Sequence, residues 1–240
     1  MKNLIHNEIN KIKLDEKKEK SLLESFKVFD IKEDMNNVDK LIINQYTKNT
    51  FYGPLNRWLI NLDNYSLEEV AYFTSRFIHS LNDYACESQK YFEENTTLYR
   101  GVTMNLSTLL TYEKAKGKII VLTSFTSTTL EKKKIQQFKR KKNETQFSVI
   151  YQIKNIHNKE RKSGGIDIQE LSDYPSEKEI LFLPFSFFRL TDVTIDVSKR
   201  EAEIKLETIE KKEILEEPMK KGNRVQYNEK INIIELVADN

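Results

Sequence analysis

In "YPSEKEILFLPF", residues 174–185, two carboxylates precede an apolar run. Glu177 and Glu179 stand two residues apart in front of residues 180–183. Burying a carboxylate costs several kcal/mol (roughly) unless another group compensates. In a β-strand, residues i and i+2 point to the same face. The pattern therefore predicts a strand buried on both faces that brings both carboxylates into one space. Taken alone, the stretch also fits an exposed strand start whose glutamates pair with nearby lysines.

The chain on either side of this stretch divides into a helical part and a strand-rich part. Apolar residues at spacings of three and four predict helices over 3–29, 34–47, 53–62 and from Ser66 to about Phe92. Short β-branched and aromatic segments predict strands over 96–104, 118–130, 146–153, 177–185, 188–197, 201–210 and 231–236. Helices followed by strands indicate an α+β domain rather than repeated βαβ units. Since neither repeat nor Pro-rich linker interrupts the chain, we predict one domain with a helical lobe.

Composition and charge narrow the classes of function. The 240 residues include 13 Phe and 11 Tyr, enough apolar bulk for a core. A net charge of +2 gives no general reason to expect nucleic acid or anionic lipid as a partner, and the basic cluster at 139–142 is typical of a solvated turn. The longest apolar run, about ten residues interrupted by Pro184, is too short to span a bilayer. We therefore predict a soluble protein without membrane insertion or nucleic-acid binding.

The cysteine and histidine content favours a protein of a reducing compartment without a metal. The single cysteine, Cys86, excludes an intramolecular disulfide and a CxxC site. The three histidines are scattered without the spacing of zinc ligands, so no metal is predicted. The first residues carry no apolar core of signal-peptide length. Gly-rich dinucleotide and phosphate loops are also missing from the sequence.

Two stretches upstream carry further candidate site residues. In "TTLYRGV", residues 96–102, Arg100 is followed at once by Gly101. A guanidinium can fork onto a phosphate, and a glycine beside it lets a ligand approach the backbone. In "TSFTSTTL", residues 123–130, hydroxyls are dense, and Ser127 is placed to hydrogen-bond a carboxylate on a neighbouring strand. Separately, the two stretches also fit a surface arginine and a threonine-rich edge strand.

In this order and spacing, "LYRGV", "FTSTT" and "SEKE" resemble the R-S-E signature of the mono-ADP-ribosyltransferases. The likeness is to the arginine-specific branch that includes the vertebrate ectoenzymes and related bacterial toxins. Residues 45–59 resemble the helical segment that precedes the arginine strand in those enzymes, and residues 170–190 resemble their loop, double-glutamate strand and following strand. The resemblance implies an ADP-ribosyltransferase fold over 1–240. It would have a helical lobe at 1–92, a mostly antiparallel, two-sheet β core with an NAD cleft at 93–210, and a C-terminal extension at 211–240.

The resemblance also implies roles on the NAD side of the site. Arg100 would hold the NAD phosphates, and Gly101 would offer backbone groups to the nicotinamide amide. Ser127 would orient the catalytic acid, which would be Glu179. Cleavage of the nicotinamide–ribose bond passes through an oxocarbenium-like state, as glycoside cleavage does. A carboxylate beside that cation stabilises the transition state more than the ground state.

On the acceptor side, the resemblance implies that Glu177 meets the incoming arginine and accepts its proton, with Tyr174 stacked on the guanidinium. NAD is thus expected as a substrate, and the partner is an unidentified target protein that supplies the arginine. The third position of the motif is Thr129, where the family usually has serine, and a hydroxyl is kept. Without disulfides the chain is unlike the secreted ectoenzymes and fits an injected effector or toxin acting inside a host cell. The alternatives are an NAD glycohydrolase and a non-catalytic binding module of the same fold.

Overall fold

The structure, a computed structural model, describes residues 35–48, 52–60, 67–135, 145–156, 165–209 and 234–235. The predicted helix over 3–29, the basic cluster at 139–142 and most of the predicted C-terminal extension lie outside the described residues. Contacts divide the chain into two compact units. One holds the described residues up to Lys90 together with Ile168–Pro175, and the other holds Tyr91–Asp167 and the described residues from Ser176 onward. The single domain over 1–240 stays a prediction.

Three helices of the first unit match predicted segments: α1 (Met35–Thr47), α2 (Tyr52–Ile60) and α3 (Leu67–Ser88). The spacing of three and four places the apolar residues on one face, and that face is buried. Tyr46 of α1 stacks on Phe77 of α3 with ring centroids 4.4 Å apart. Asp39, also buried, accepts hydrogen bonds from Arg76 Nη2 and Ser80 Oγ, each at 2.7 Å. The charge of Asp39 is thus compensated between α1 and α3.

The segment Ile168–Pro175 joins the first unit through the end of α1. Asn44 Nδ2 donates to the Leu171 carbonyl and to Asp173 Oδ1, both at 2.8 Å. The Asp173 backbone N–H donates to Thr47 Oγ1 at 3.1 Å. Because this later segment packs with the helices, the predicted helical lobe of 1–92 is not confirmed as a lobe formed by the N-terminal residues alone.

The second unit is built on a sheet of nine described strands. The strands are β1 (Thr97–Asn105), β2 (Ile119–Leu122), β3 (Thr126–Thr129), β4 (Gln146–Lys154), β5 (Ile166–Asp167), β6 (Glu179–Phe182), β7 (Ser186–Asp196), β8 (Glu201–Thr208) and β9 (Ile234–Glu235). Their order is β5-β6-β3-β1-β4-β8-β7-β2-β9. Among these strands, neighbours run antiparallel except β4 with β8 and β2 with β9, which are parallel.

The sheet corrects one prediction and confirms another. Hydrogen bonds connect the strands into one mixed sheet, so the prediction of two sheets is not confirmed. The strand behind the carboxylates is buried at all four positions of β6, as its apolar run predicts. Fully buried residues of β1, β4 and β8, such as Leu98, Val149 and Ile204, belong to the main hydrophobic cluster. The site residues on β1, β3 and β6 are therefore mounted on the well-packed part of the sheet.

Two short helices of the second unit have no counterpart among the predicted elements: α4 (Leu106–Lys114) and α5 (Lys132–Ile135). In α4 only Leu109 and Tyr112 are buried, and two positions are too few for a clear helical period. The turn of α5 places Ile135 against β1, while Lys132 and Lys133 are exposed and Lys134 is half-buried. Within the described ranges, no helix combines the length and apolarity needed to span a membrane.

Candidate active site

Glu179 is a buried carboxylate at the first position of β6. Its side chain is nearly enclosed, with the residue 8% exposed, and its Cα lies opposite that of Thr129 on β3. The hydroxyl of Ser127, on the same strand β3, hydrogen-bonds the carboxylate. Burial raises the pKa of Glu179 above its usual value, and the charge of Glu177 raises it further, while the Ser127 hydrogen bond and the charge of Arg100 oppose the rise. The structure places Ser127 on the strand paired with that of Glu179, and the role of its hydroxyl toward this acid stays a prediction.

Glu177 has a different local structure from the predicted one. It ends a 3₁₀ turn, Pro175–Glu177, rather than lying in the strand with Glu179. Lys178, between them, adopts φ of +50°, a left-handed conformation that breaks the strand alternation. The two carboxylates nevertheless lie close enough for their charges to interact. The prediction that both acids share one strand face is therefore wrong, although both reach the same site.

The surroundings of Glu177 are more open than those of Glu179. Its side chain is half-buried at the end of the turn. Partial burial raises the pKa of Glu177, and the ammonium of Lys134 opposes the rise. Thr129 Oγ1 donates a 2.7 Å hydrogen bond to the Glu177 backbone carbonyl. The site thus holds one enclosed acid beside one accessible acid, each in its own electrostatic environment.

Arg100 lies on β1, on the side of the sheet that carries the core residues Leu98 and Met104. Its Nη1 donates a 2.9 Å hydrogen bond to the backbone carbonyl of Ser127. A guanidinium carries five donors, so this bond leaves others for an anionic ligand. Its Cα lies opposite that of Tyr151 on β4.

A buried pair of phenols lies near Arg100. The hydroxyls of Tyr151 and Tyr112 are 2.5 Å apart and hydrogen-bond each other. Burial raises the pKa of Tyr151 to about 12 and raises that of Tyr112 well above its usual value, while the charge of Arg100 lowers both. The two phenols are therefore neutral hydrogen-bonding groups at neutral pH, within reach of the field of Arg100.

Gly101 leaves room for the side chain of Ile135. A Cβ built on Gly101 would lie 2.7 Å from Cγ2 of Ile135 in α5. Real Cβ atoms essentially never approach so closely, so the Ile135 side chain or the strand would have to shift to admit a larger residue. The sequence interpretation, in which Gly101 lets a ligand approach the backbone, stays a prediction.

Tyr174 belongs to the segment Ile168–Pro175 of the first unit and is 46% exposed. An exposed aromatic side chain is available to a partner, and its proposed contact with the acceptor stays a prediction. Of the predicted site residues with a polar side chain, the structure places Arg100, Ser127, Glu177 and Glu179 in the second unit.

Sequence reasoning missed the residues that surround Glu177. Glu131 follows β3, and its carboxylate binds Lys178 Nζ at 2.6 Å and Lys134 Nζ at 3.6 Å. Thr129, noted only as a departure from the family motif, joins this group through its hydroxyl. The run "EKKK" at 131–134 looks like an ordinary solvated face, and only the fold places it beside the double-glutamate segment.

The arrangement suits cleavage of a glycosidic bond that leaves a cation. An enclosed carboxylate bonded to a hydroxyl stabilises positive charge, and a nearby guanidinium binds phosphate. These groups fit NAD as a substrate, because it carries a diphosphate and a ribose bonded to a cationic leaving group. Among the described residues, no three or more His, Cys, Asp and Glu side chains are grouped to hold a metal ion.

Comparison with solved structures gives the same fold. The ADP-ribosyltransferase Vis, a toxin from Vibrio splendidus solved in complex with agmatine, shares 20% identity with a TM-score of 0.56, and the match covers 84% of this chain and 88% of that one. HopU1, an ADP-ribosyltransferase of Pseudomonas syringae pv. Tomato DC3000, shares 20% identity at a TM-score of 0.58, covering 78% and 82%. The type III effector XopAI from Xanthomonas axonopodis pv. citri shares 15% identity at 0.52, covering 73% and 64%.

A search of curated protein sequences finds no match. A family model is more informative, because the model of the NAD:arginine ADP-ribosyltransferases matches residues 3–213 and so spans most of the chain, including the strands that carry Arg100, Ser127 and Glu179. The chain therefore belongs to the NAD:arginine ADP-ribosyltransferase family, whose enzymes transfer ADP-ribose from NAD.

Proposed function

We propose that this protein transfers ADP-ribose from NAD to an arginine side chain of a target protein and releases nicotinamide. The observation that carries the proposal is the pair of acids in unlike surroundings. Glu179 is enclosed and bonded to Ser127, whereas Glu177 is half-buried on a turn beside it. Two neighbouring acids with different environments are suited to two different tasks in one reaction.

Glu179 is assigned to NAD cleavage. When the bond between ribose C1′ and the nicotinamide nitrogen breaks, its electron pair leaves with nicotinamide and the ribose becomes oxocarbenium-like. The Glu179 carboxylate stabilises this charge, and it does so strongly because the residue is shielded from water. Ser127 keeps the carboxylate oriented through its hydroxyl. This division makes Glu179 the catalytic acid of the R-S-E motif and Ser127 its positioning residue.

Arg100 is assigned to the NAD phosphates. Its bond to the Ser127 carbonyl fixes the direction of the guanidinium while leaving other N–H groups for a diphosphate. Gly101 follows it in β1, in the position expected to face the nicotinamide amide. The same strand pair therefore holds the substrate through Arg100 and orients the acid through Ser127.

Glu177 is assigned to the acceptor. A guanidinium is protonated at neutral pH, so it must lose a proton as its nitrogen bonds to C1′. Glu177 accepts that proton, and its raised pKa makes the carboxylate a stronger base than an ordinary glutamate. The complex of Vis with agmatine, a guanidine compound, supports a guanidinium acceptor for this fold.

The structural neighbours also support a place of action. Vis is a toxin and XopAI a type III effector, so we propose that this protein is likewise a secreted effector or toxin that modifies a host protein. Incubation with labelled NAD and agmatine tests the chemistry directly. ADP-ribosyl-agmatine is the expected product, whereas rapid hydrolysis of NAD without any labelled acceptor would instead establish an NAD glycohydrolase.

A further inference from the structure

One threonine joins the Glu177 turn to the end of β3. Thr129 is the last residue of β3, and its Oγ1 donates to the Glu177 carbonyl at 2.7 Å. The same oxygen accepts a 3.2 Å hydrogen bond from the Glu131 backbone N–H. Thr129 is buried, so these bonds are shielded from water. A single hydroxyl therefore connects the Glu177 turn with the chain at Glu131.

The side chain of Glu131 reaches the same turn by a second route. Its carboxylate contacts Lys178 Nζ at 2.6 Å and Lys134 Nζ at 3.6 Å. Lys178 directly follows Glu177, and Lys134 lies near enough for its charge to act on the Glu177 carboxylate. Glu131 thus contacts two lysines that are related to Glu177: Lys178 follows it in the chain, and the charge of Lys134 acts on its carboxylate.

The backbone turns at Lys178, between Glu177 and Glu179. Its φ of +50° lies in the left-handed region that residues with a Cβ rarely adopt. A residue keeps such a conformation only where its surroundings hold it there. In this conformation the Lys178 ammonium contacts the Glu131 carboxylate, and the chain turns between Glu177 and the start of β6.

A contribution to folding stability does not by itself explain the contact of Glu131 with Lys178. The side chains of Glu131 and Lys178 are 38% and 44% exposed, and exposed ion pairs contribute little to folding. Some surface pairs of the second unit, such as Lys199 with Asp196, lie within one hairpin turn, and others, such as Lys132 with Glu203, join segments distant in sequence. The contact of Glu131 with Lys178 differs from these because one of its two segments carries the acid assigned to the acceptor.

We propose that Glu131 is a positioning residue of the acceptor side, which holds the Glu177 turn through Lys178 and Lys134 so that the Glu177 carboxylate meets the incoming guanidinium. This inference rests on the proposed function, since it concerns the transfer step. Misplacement of a reacting group by about 1 Å can slow a reaction by about a hundredfold. NAD cleavage is assigned to Glu179, Ser127 and Arg100, so loss of Glu131 is expected to slow transfer more than hydrolysis.

The test measures transfer to agmatine and release of nicotinamide into water on the same preparations. The variants are Glu131→Gln, Lys178→Gln and the double variant, with Asp196→Asn as a control. Asp196 matches Glu131 in exposure, at 39%, and pairs with Lys199 in the β7–β8 turn. A second series compares Thr129→Val, which loses the hydroxyl, with Thr129→Ser, which keeps it.

The ratio of transfer to hydrolysis is expected to fall about tenfold in Glu131→Gln, through kcat for agmatine rather than KM for NAD. The ratio of transfer to hydrolysis in the double variant should be no lower than in the more affected single variant, because each single substitution already removes the contact between Glu131 and Lys178. Thr129→Ser should keep the ratio that Thr129→Val loses, and Asp196→Asn should match the wild type.

A wild-type ratio in Glu131→Gln would overturn the inference while leaving the proposed function intact. If the wild-type protein itself transfers nothing to agmatine, the proposed function fails instead. The side chains of Glu131 and Lys178 lie at the surface, so their variants are expected to fold. They therefore decide the test even if Thr129→Val does not fold.

Discussion

The Glu179 carboxylate at the start of β6 is hydrogen-bonded by the hydroxyl of Ser127 on the neighbouring strand β3. This bond aligns an acid that is shielded from water with the strand that also receives Arg100. Because the carboxylate and its partner sit on paired strands, neither depends on a mobile loop for its orientation. The relationship supports the proposal that the enclosed acid stabilises the charge formed when NAD is cleaved.

Glu179→Gln keeps the shape of the side chain and removes its charge. Transfer and nicotinamide release should both fall by about a hundredfold or more, since an electrostatic contact to the transition state is lost. Nicotinamide release measured on the purified variant checks this, with Glu207→Gln, a half-buried glutamate of β8, as the control. Release within a few-fold of the wild type would remove Glu179 from the cleavage step.

The same variant should lose activity but gain folding stability at neutral pH. Burial raises the pKa of Glu179, so at neutral pH the folded protein bears the cost of an ionised buried carboxylate. As the pH falls through the raised pKa, Glu179 takes up a proton and this cost disappears. The melting temperature of Glu179→Gln should therefore exceed that of the wild type at about pH 8, by about 2–4 °C for each kcal/mol gained in the free energy of unfolding. This difference in melting temperature should shrink toward about pH 4.5. A difference that stays constant with pH would contradict this account of the carboxylate.

Arg100→Lys keeps the positive charge but loses the forked geometry. A lost charge-assisted hydrogen bond of about 1.5–3 kcal/mol corresponds to at least about a tenfold loss of NAD affinity. Calorimetric titration with NAD measures this, and Arg189→Lys, another half-buried strand arginine, is the matched control. Equal affinity in the wild type and Arg100→Lys would show that the guanidinium does not bind the phosphates.

Tyr151→Phe removes one half of the buried phenol pair near Arg100. The Tyr112 hydroxyl would lose the partner that the structure gives it, at a cost of about 1–3 kcal/mol. The double variant with Tyr112→Phe should recover part of that loss, because both hydroxyls are then gone. Denaturant unfolding of the three proteins decides the point, and a double variant equal to the sum of the singles would exclude the coupling.

Local pattern predicted many of the elements but not how the strands join. The segment 201–210 alternates charged and apolar residues, and the structure places β8 there with every second residue buried. The parallel pairing of β4 with β8 depends on contacts distant in sequence, which no local period encodes. The prediction of two sheets therefore went beyond what the residues themselves indicate.

The placement of site residues was predictable where these residues lie on regular β-strands. Ser127 and Glu179 were expected as partners, and their strands are indeed paired in register. Glu177 was misplaced because the left-handed backbone of Lys178 cannot be inferred from an i, i+2 spacing. Glu131 was overlooked because its charge is unremarkable in sequence, and its contact with Lys178 exists only in the folded chain.

The most direct test of the account is Glu177→Gln, with transfer to agmatine and hydrolysis of NAD measured on one preparation. If Glu177 serves the acceptor, the oxocarbenium-like state still forms through Glu179 and Ser127, and water captures it because water loses a proton more easily than a guanidinium does. We therefore expect arginine modification to be abolished while much of the NAD hydrolysis remains. A parallel fall of both activities would place Glu177 in NAD cleavage itself and contradict its role at the acceptor.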